Sequence, residues 1–535
     1  MPAILSVLLT GCTALPSNHD RQASRAIPPQ QAEQTQLGET LSQLAQSFPG
    51  QSGIYPLADS HEAFAVRTLL ADAAQKTLDI QYYIWRNDLT GTLMMHSLKQ
   101  AADRGVRVRV LLDDSAGVGF DKILATLNAH ENIEVRLFNP LAIRFPRWIN
   151  YVVDFRRVNR RMHNKTFIAD NQAAIIGGRN IGDEYFGAAQ NFLFSDMDVV
   201  AVGPVVHDVS TDFDSYWNSE SAYPVASLLP PAPPDALEKL RSRAVATTAD
   251  PKARAFVDAM RQSNLVEELV NGNIDLVWAP VRMLSDDPAK VLGQASEENG
   301  VAAELGRILD QPTSHIELIS SYFVPTRTGT RALVNLANQG IDIRILTNSL
   351  AATDVAAVHA GYAKHRKPLL KAGITLYEMR PQPDTSQPVN RTGKHKKPRK
   401  RRKAAFRTWR WGLGGVPSGS GPFGSANASL HAKTLSIDDQ KVFVGSFNFD
   451  PRSARLNTEL GFVIDSPELS RDITRTFMDQ VPQTSYQVHL DDNNELYWTR
   501  HDNGQTMRFD TEPEASLWRR IWVGVLSAFP IEWML

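Results

Sequence analysis

Two hydrophobic periods alternate along the chain. From Glu62 to Lys76, Phe64, Leu69, Leu70 and Ala74 share one side at helical spacing and predict an amphipathic helix. Leu78 to Trp85 alternates apolar and polar positions and predicts a strand. A helix from Gly91 to Ala102, stopped at Gly105, a strand from Val106 to Leu112, a helix from Phe120 to Ala129 and a strand from Ile133 to Phe138 follow. The order then replays. Ile316 to Ser320 answers the first strand, Arg331 to Ala337 the helix, Gly340 to Leu346 the second strand and Gly373 to Tyr377 the third. Strands alternating with helices imply an α/β fold with mixed sheets flanked by helices, built as two repeats paired about a pseudo-twofold axis. Leu229-Pro230-Pro231-Ala232-Pro233-Pro234 reads as a stiff linker between them.

Each repeat ends in the same chemistry. His163, Lys165, Asp170 and the tail Gly177-Gly178-Arg179-Asn180 match His431, Lys433, Asp438 and Gly445-Ser446-Phe447-Asn448 without a gap. Thr166 to Ile168 and Thr434 to Ile437 are β-prone, so His and Lys open a strand and share a face. Asp170 and Asp438 fall in the turn; Ala173 to Ile176 and Lys441 to Val444 return. Two such hairpins facing each other bring two imidazoles and two ammonium groups into one site, which suits phosphodiester chemistry. One neutral imidazole attacks phosphorus, the other protonates the leaving oxygen, and the lysines with Asn180 and Asn448 hold phosphoryl oxygens. The motif aspartates belong to this set as supports of the hairpin and the lysines. Asp196 and Glu459 follow the two motifs at matching places and are candidates to orient the histidines; the alternative is a surface carboxylate beside a strand.

The doubled His-x-Lys-x4-Asp pattern resembles the phospholipase D superfamily. Arg161 to Lys165, Gly177 to Asp183, Gly445 to Ser453 and Ser320 to Pro325 narrow the resemblance to bacterial cardiolipin synthases of the C type, from about Tyr55 to Leu535. The resemblance implies a phosphatidyltransferase that passes through a phosphohistidine, with His163 as nucleophile and His431 as acid, then base. It also implies phosphatidylglycerol as acceptor, and phosphatidylethanolamine or phosphatidylglycerol as donor. No cofactor and no metal are called for, because the His and Lys pairs supply acid, base and positive charge. A phospholipase D hydrolase or an endonuclease of the same fold is the alternative.

Composition adds limits. At 535 residues and 42% hydrophobic content, the chain can bury two domain cores, and a net charge of −1 gives no overall pull toward polyanions. One cysteine excludes an intrachain disulfide framework. That residue, Cys12, closes the apolar run Ala3 to Leu9 through Thr10 and Gly11 and resembles a lipoprotein acylation site; a stray buried thiol is the plain alternative. The expected plan is a signal over 1–12, a polar tether over 13–50, a first domain over 51–228, a linker over 229–254, a second domain over 255–484 and an extension over 485–535. Leu284 to Lys290 reads as a turn-rich loop near the site.

A basic insertion over 385–424, running from Arg391 through Arg410 with Trp409 and Trp411, breaks the repeat. It fits a solvated loop, an anionic membrane surface, or nucleic acid, the last disfavoured by the two chain ends. The C-terminal apolar stretch from Ile521 to Ile531 is too short to span a bilayer, which takes roughly 20 residues. It fits equally an element lying in the membrane interface and a helix packed on the core. The partners expected are therefore phospholipid substrates and an anionic membrane surface; the residues specify no accessory protein.

Overall fold

A Pro-flanked crossing at Pro280 divides the molecule. Val277–Ala279 completes one sheet and Val281–Ser285 opens the other, so the chain passes from the first half to the second within a few residues. The computed structural model describes residues 15–116, 119–188, 194–261, 274–381, 429–502, 504–527 and 529. Cys12 and the basic insertion lie outside them.

The first sheet has nine strands. In spatial order they are Val277–Ala279, Ser52–Leu57, Asp198–Val202, Ala173–Gly177, Thr166–Ala169, Thr77–Tyr82, Arg107–Asp113, Ile133–Phe138 and Ala222–Pro224. The second has ten: Val281–Ser285, Leu460–Asp465, Lys441–Gly445, Lys433–Ile437, His315–Ser320, Asp342–Asn348, Thr375–Met379, Ser485–Leu490, Leu496–Asp502 and Gln505–Phe509. In each, three consecutive strands run parallel through helical crossovers, and the motif hairpin adds antiparallel beside them. The register repeats as well: Ile80 opposes Phe167 as Leu318 opposes Leu435. The expected elements form within a few residues of their predicted limits; Asp59, for instance, caps the helix Ser60–Ala73 by accepting from the His61 and Glu62 amides.

One apolar cluster joins the halves. Ile176, Val199, Val206 and Phe213 from the first pack with Val442, Val444, Leu460 and Phe462 from the second, all buried. Two short backbone exchanges reinforce it. The Thr458 amide donates to Arg161 O and the His163 amide to Thr458 O, both at 2.9 Å. Ser429–Leu430 pairs in parallel with Phe194–Ser195. The two motif histidines therefore sit where the halves trade strands.

Three expectations about organisation need correction. The segment read as a polar tether is docked: helix Gln36–Ala45 buries Leu37 and Leu41, and the buried guanidiniums of Arg109 and Arg136 donate to Ser24 O and Gln22 O. Few apolar side chains hold it; backbone carbonyls supplied to buried arginines do. Most of the linker is helix, Ala236–Ala249 with Leu240 and Ala244 buried, leaving only the prolines as connector. The residues assigned to a C-terminal extension begin with three strands that finish the second sheet.

Asp170 and Asp438 occupy the hairpin turns at φ 50° and 55°. Their carboxylates do not meet the lysines. Asp170 accepts from the Gln75, Lys76 and Thr77 amides at 2.7–2.8 Å, and Asp438 from the Thr313, Ser314 and His315 amides at 2.7–2.9 Å. Each thus staples its hairpin to the start of the adjoining strand. Burial pushes the Asp438 carboxyl up, but those three amides hold it near 2. Asp170 is fully buried and Asp438 half-buried. Asp170→Ala should lower the thermal midpoint clearly more than Asp438→Ala, because water can replace the lost acceptor only at the second; each orphaned buried amide costs about 1–3 kcal/mol. Equal shifts in a melting experiment would contradict this.

Candidate active site

The site is built by exchange between the halves. His163 Nδ1 lies 2.9 Å from Glu459 Oε2, and His431 Nδ1 lies 2.6 Å from Asp196 Oδ2. Each imidazole is oriented by a carboxylate from the other half. A carboxylate only accepts, so each Nδ1 carries the hydrogen and Nε2 is left as the reactive nitrogen. Both rings are almost enclosed, at 7% and 8% exposure. Tyr83 presents its ring edge-on to His163 at 5.0 Å, and Tyr185 does the same to His431 at 5.3 Å.

The lysines complete the set. Lys165 Nζ donates to His163 O at 2.5 Å and stands 5.6 Å from the Tyr83 ring centre. Lys433 Nζ donates to His431 O and, at 3.1 Å, to Ser321 Oγ. Burial is the main force on all four groups. It drives both histidines down to about 4, further lowered by the neighbouring ammonium groups and only partly opposed by Glu459 and Asp196. It drives Lys165 down to about 7 and Lys433 down as well. Burial alone would raise the two carboxyls, but the facing histidines and lysines hold both below the ordinary range. The resting site thus holds two neutral imidazoles, two carboxylates and lysines whose charge a phosphate anion would stabilise.

The structure brings His163, Lys165, His431, Lys433, Asp196 and Glu459 together. Asp170 and Asp438 stand in the turns behind, as supports. Asn180 and Asn448 close around the site but are engaged with protein. Asn180 accepts from the Ile84 amide at 3.0 Å and donates to Tyr185 OH at 3.1 Å; Asn448 Oδ1 accepts from Ser321 Oγ at 2.9 Å. Asn180 thereby positions Tyr185, and Asn448 positions Ser321.

Several residues here had no individual role in the sequence. Ser446 Oγ donates to Glu459 Oε2 at 2.5 Å. Asp286, inside the turn-rich stretch, donates its amide to Glu459 O at 3.0 Å and accepts the Glu459 amide at 2.9 Å. Tyr322 donates to Asp354, which in turn feels the Lys433 charge. The tyrosines and Asp354 follow no spacing shared by the repeats; only the Gly-Ser of the second motif hinted at Ser446. Among the described residues, no group of three or more His, Cys, Asp or Glu side chains is arranged to hold a metal.

Comparison with known proteins agrees with this geometry. The family described as cardiolipin synthase, PLD-like domain, matches residues 68–217 and 305–481, more than half of the chain. The chain belongs to that family. It is 43% identical to cardiolipin synthase C of Escherichia coli over 499 residues, covering 93% of this chain and 99% of that protein. It is 25% identical to the major cardiolipin synthase ClsA of Bacillus subtilis over 81% of this chain and 70% of the relative. Phosphatidylserine synthase of Haemophilus influenzae shares the fold, with a TM-score of 0.55 at 13% identity, covering 93% of this chain and all of that one. The chain is a phosphatidyltransferase of the phospholipase D type.

Two outcomes test the site. Glu459→Gln and Asp196→Asn keep size but relax the aim of Nε2, and each should lower kcat about 10²-fold with little change in KM. In the free enzyme both histidines sit at about 4 and His431 must be protonated to act as the acid, so kcat/KM should fall above about 4 and more steeply above about 7, where Lys165 loses its charge. Lys165→Arg, whose guanidinium stays charged, should extend the alkaline limb even as the maximum drops. A pH profile on soluble lipid that keeps its alkaline limb in Lys165→Arg would overturn the depressed lysine.

Proposed function

We propose that the chain makes cardiolipin by joining a phosphatidyl donor, phosphatidylethanolamine or phosphatidylglycerol, to phosphatidylglycerol. The observation that carries the reading is the pair of crossed imidazole–carboxylate bonds, joined to the chain-long likeness to cardiolipin synthase C. In the first step His163 Nε2 attacks the donor phosphorus, the bond to the head-group oxygen breaks, and His431 Nε2–H protonates that oxygen. In the second, His431 takes the proton from the primary hydroxyl of phosphatidylglycerol, whose oxygen attacks phosphorus while the phosphorus–nitrogen bond breaks. The arrangement around Glu459 supports His163 as nucleophile: Asp286 fixes its backbone from both sides and Ser446 fixes its carboxylate.

The same geometry assists the acid. Burial is the main force that holds His431 neutral and the lysine charges add to it; a phosphodiester anion held by Lys165 and Lys433 offsets the second part and so favours the imidazolium when substrate is bound. The buried rings leave little room for water to compete with the acceptor alcohol, which favours transfer over hydrolysis.

His163→Ala and His431→Ala should each reduce turnover by at least about 10²–10⁴-fold, because attack and protonation belong to one step. Lipid mass spectrometry of expressing cells reads the result: a new cardiolipin pool that disappears in either variant. Plasmid cleavage by the purified protein without a lipid change would favour the nuclease. The reading places the enzyme on the bacterial envelope, anchored by acylation at Cys12 and aided by the basic residues from Arg391 to Arg410. Incorporation of labelled palmitate should be lost in Cys12→Ser; unlabelled wild-type protein would remove the anchor.

A further inference from the structure

The helix Leu517–Ser527 is mounted with its apolar stripe outward. Trp518, Ile521, Trp522 and Val525 recur at the i, i+3, i+4, i+7 spacing that normally marks a core-facing stripe, yet all are exposed, Trp518 to 75%. The opposite face, through Val523, packs on the helix Ala356–Ala363 with Leu350 and Ala360. Among the described residues no helix is long and apolar enough to cross a membrane.

A second exposed apolar element lies in the other half. Between the strand Ile133–Phe138 and His163, the segment carrying Phe145, Trp148 and Val152 leaves Phe145 90% and Val152 71% exposed. It is braced from beneath. Asn150 Oδ1 accepts from the Ile143 amide at 2.9 Å, its Nδ2 donates to Ile143 O and Arg147 O at 2.7 and 2.8 Å, and Arg144 and Arg147 pair with Asp114 and Asp121. An apolar tip on such a polar foundation is held out.

Both elements connect directly to the rim of the active site. Arg519 donates to Thr353 O, next to the Asp354 that accepts from Tyr322 beside Lys433. Asp114, which pairs with Arg144 and Arg147 of the braced segment, adjoins Asp113, whose carboxylate accepts the Met162 amide at 2.9 Å, one residue before His163. One apolar element is thus linked to the His163 side of the site and the other to the Lys433 side.

We propose that these two elements are one membrane-docking surface, which seats the mouth of the site on the lipid interface so that phospholipid head groups enter while their acyl chains stay in the bilayer. The occupant is a bilayer. The tryptophans sit at the depth that suits their amphipathic rings, and Arg156, exposed beside Val152 and Val153, faces the head groups. A helix of eleven residues, about 16 Å long, can lie in the interface but not span it. The inference rests on the lipid-transfer reading, since a phospholipid substrate is what makes this position useful.

The test uses full-length protein carrying Cys12→Ser, so that no acyl chain contributes. Co-sedimentation with neutral phosphatidylcholine vesicles and with vesicles rich in phosphatidylglycerol compares it with the pairs F145E/W148E and W518E/W522E. Each pair should weaken binding to both kinds of vesicle about tenfold or more, and the four together further, because lost apolar burial does not depend on lipid charge. Turnover of short-chain monomeric lipid should stay within about twofold of the parent. Where a glutamate pair unfolds, W148F/W518F/W522F should reduce quenching of tryptophan emission by lipids brominated along the acyl chain. Unchanged vesicle binding, or unchanged quenching in that variant, overturns the proposal. So does a dimer in solution that the substitutions split, which would make a second copy the occupant. Vesicle binding lost in the variants while even the parent turns over no lipid would uphold docking and remove the transferase reading instead.

Discussion

Everything in this molecule answers to the cost of burying four ionisable groups at one spot. Two imidazoles and two ammonium groups out of water are tolerable only if their hydrogen bonds are met and negative charge lies nearby. Glu459 and Asp196 supply it, and their bonds to His163 and His431 hold only while the two halves stay in fixed relation. The apolar cluster between the sheets, the backbone exchange at Thr458 and the short pairing at Leu430 set that relation. The layers of the fold serve to bring two carboxylates across an interface to hydrogen-bond distance of the histidines.

The halves are near copies, but their environments differ where it matters. Both lysines donate to the carbonyl of their own histidine, but Lys165 rests beside the ring of Tyr83, whereas Lys433 also donates to the Ser321 hydroxyl. Tyr83 covers one imidazole and Tyr185 the other, from unrelated positions in the chain. Such inequality sets the two imidazoles apart before any substrate binds.

The repeat, the sheets and the histidine–lysine pairs were legible because each is encoded locally, by strand alternation or by spacing within one hairpin. Asp196 and Glu459 could be flagged because they follow the motifs at matching places; that each serves the other half was a matter of packing. What stayed hidden has no local signature. The docking of residues 15–50 depends on backbone carbonyls given to Arg109 and Arg136, and carbonyls are the same at every residue. The last strands of the second sheet, Leu496–Asp502 and, at its edge, Gln505–Phe509, carry many polar residues and their alternation is weak. The motif aspartates were placed correctly in their turns, but their partners are amides some hundred residues away, where no spacing points to the lysines or from them.

The crossed carboxylates also bear on how such a chain can change over time. Because the residue that aims each histidine is encoded in the opposite half, neither half carries a whole catalytic apparatus. A drift at Asp196 is felt at His431, and one at Glu459 at His163, so the duplicated units are bound to a common history even where their surfaces diverge. A solitary half could be complete only by meeting its own twin across a true twofold axis, each lending the other its acid. A single chain needs no such meeting, and because each side is encoded separately the two are free to be unequal.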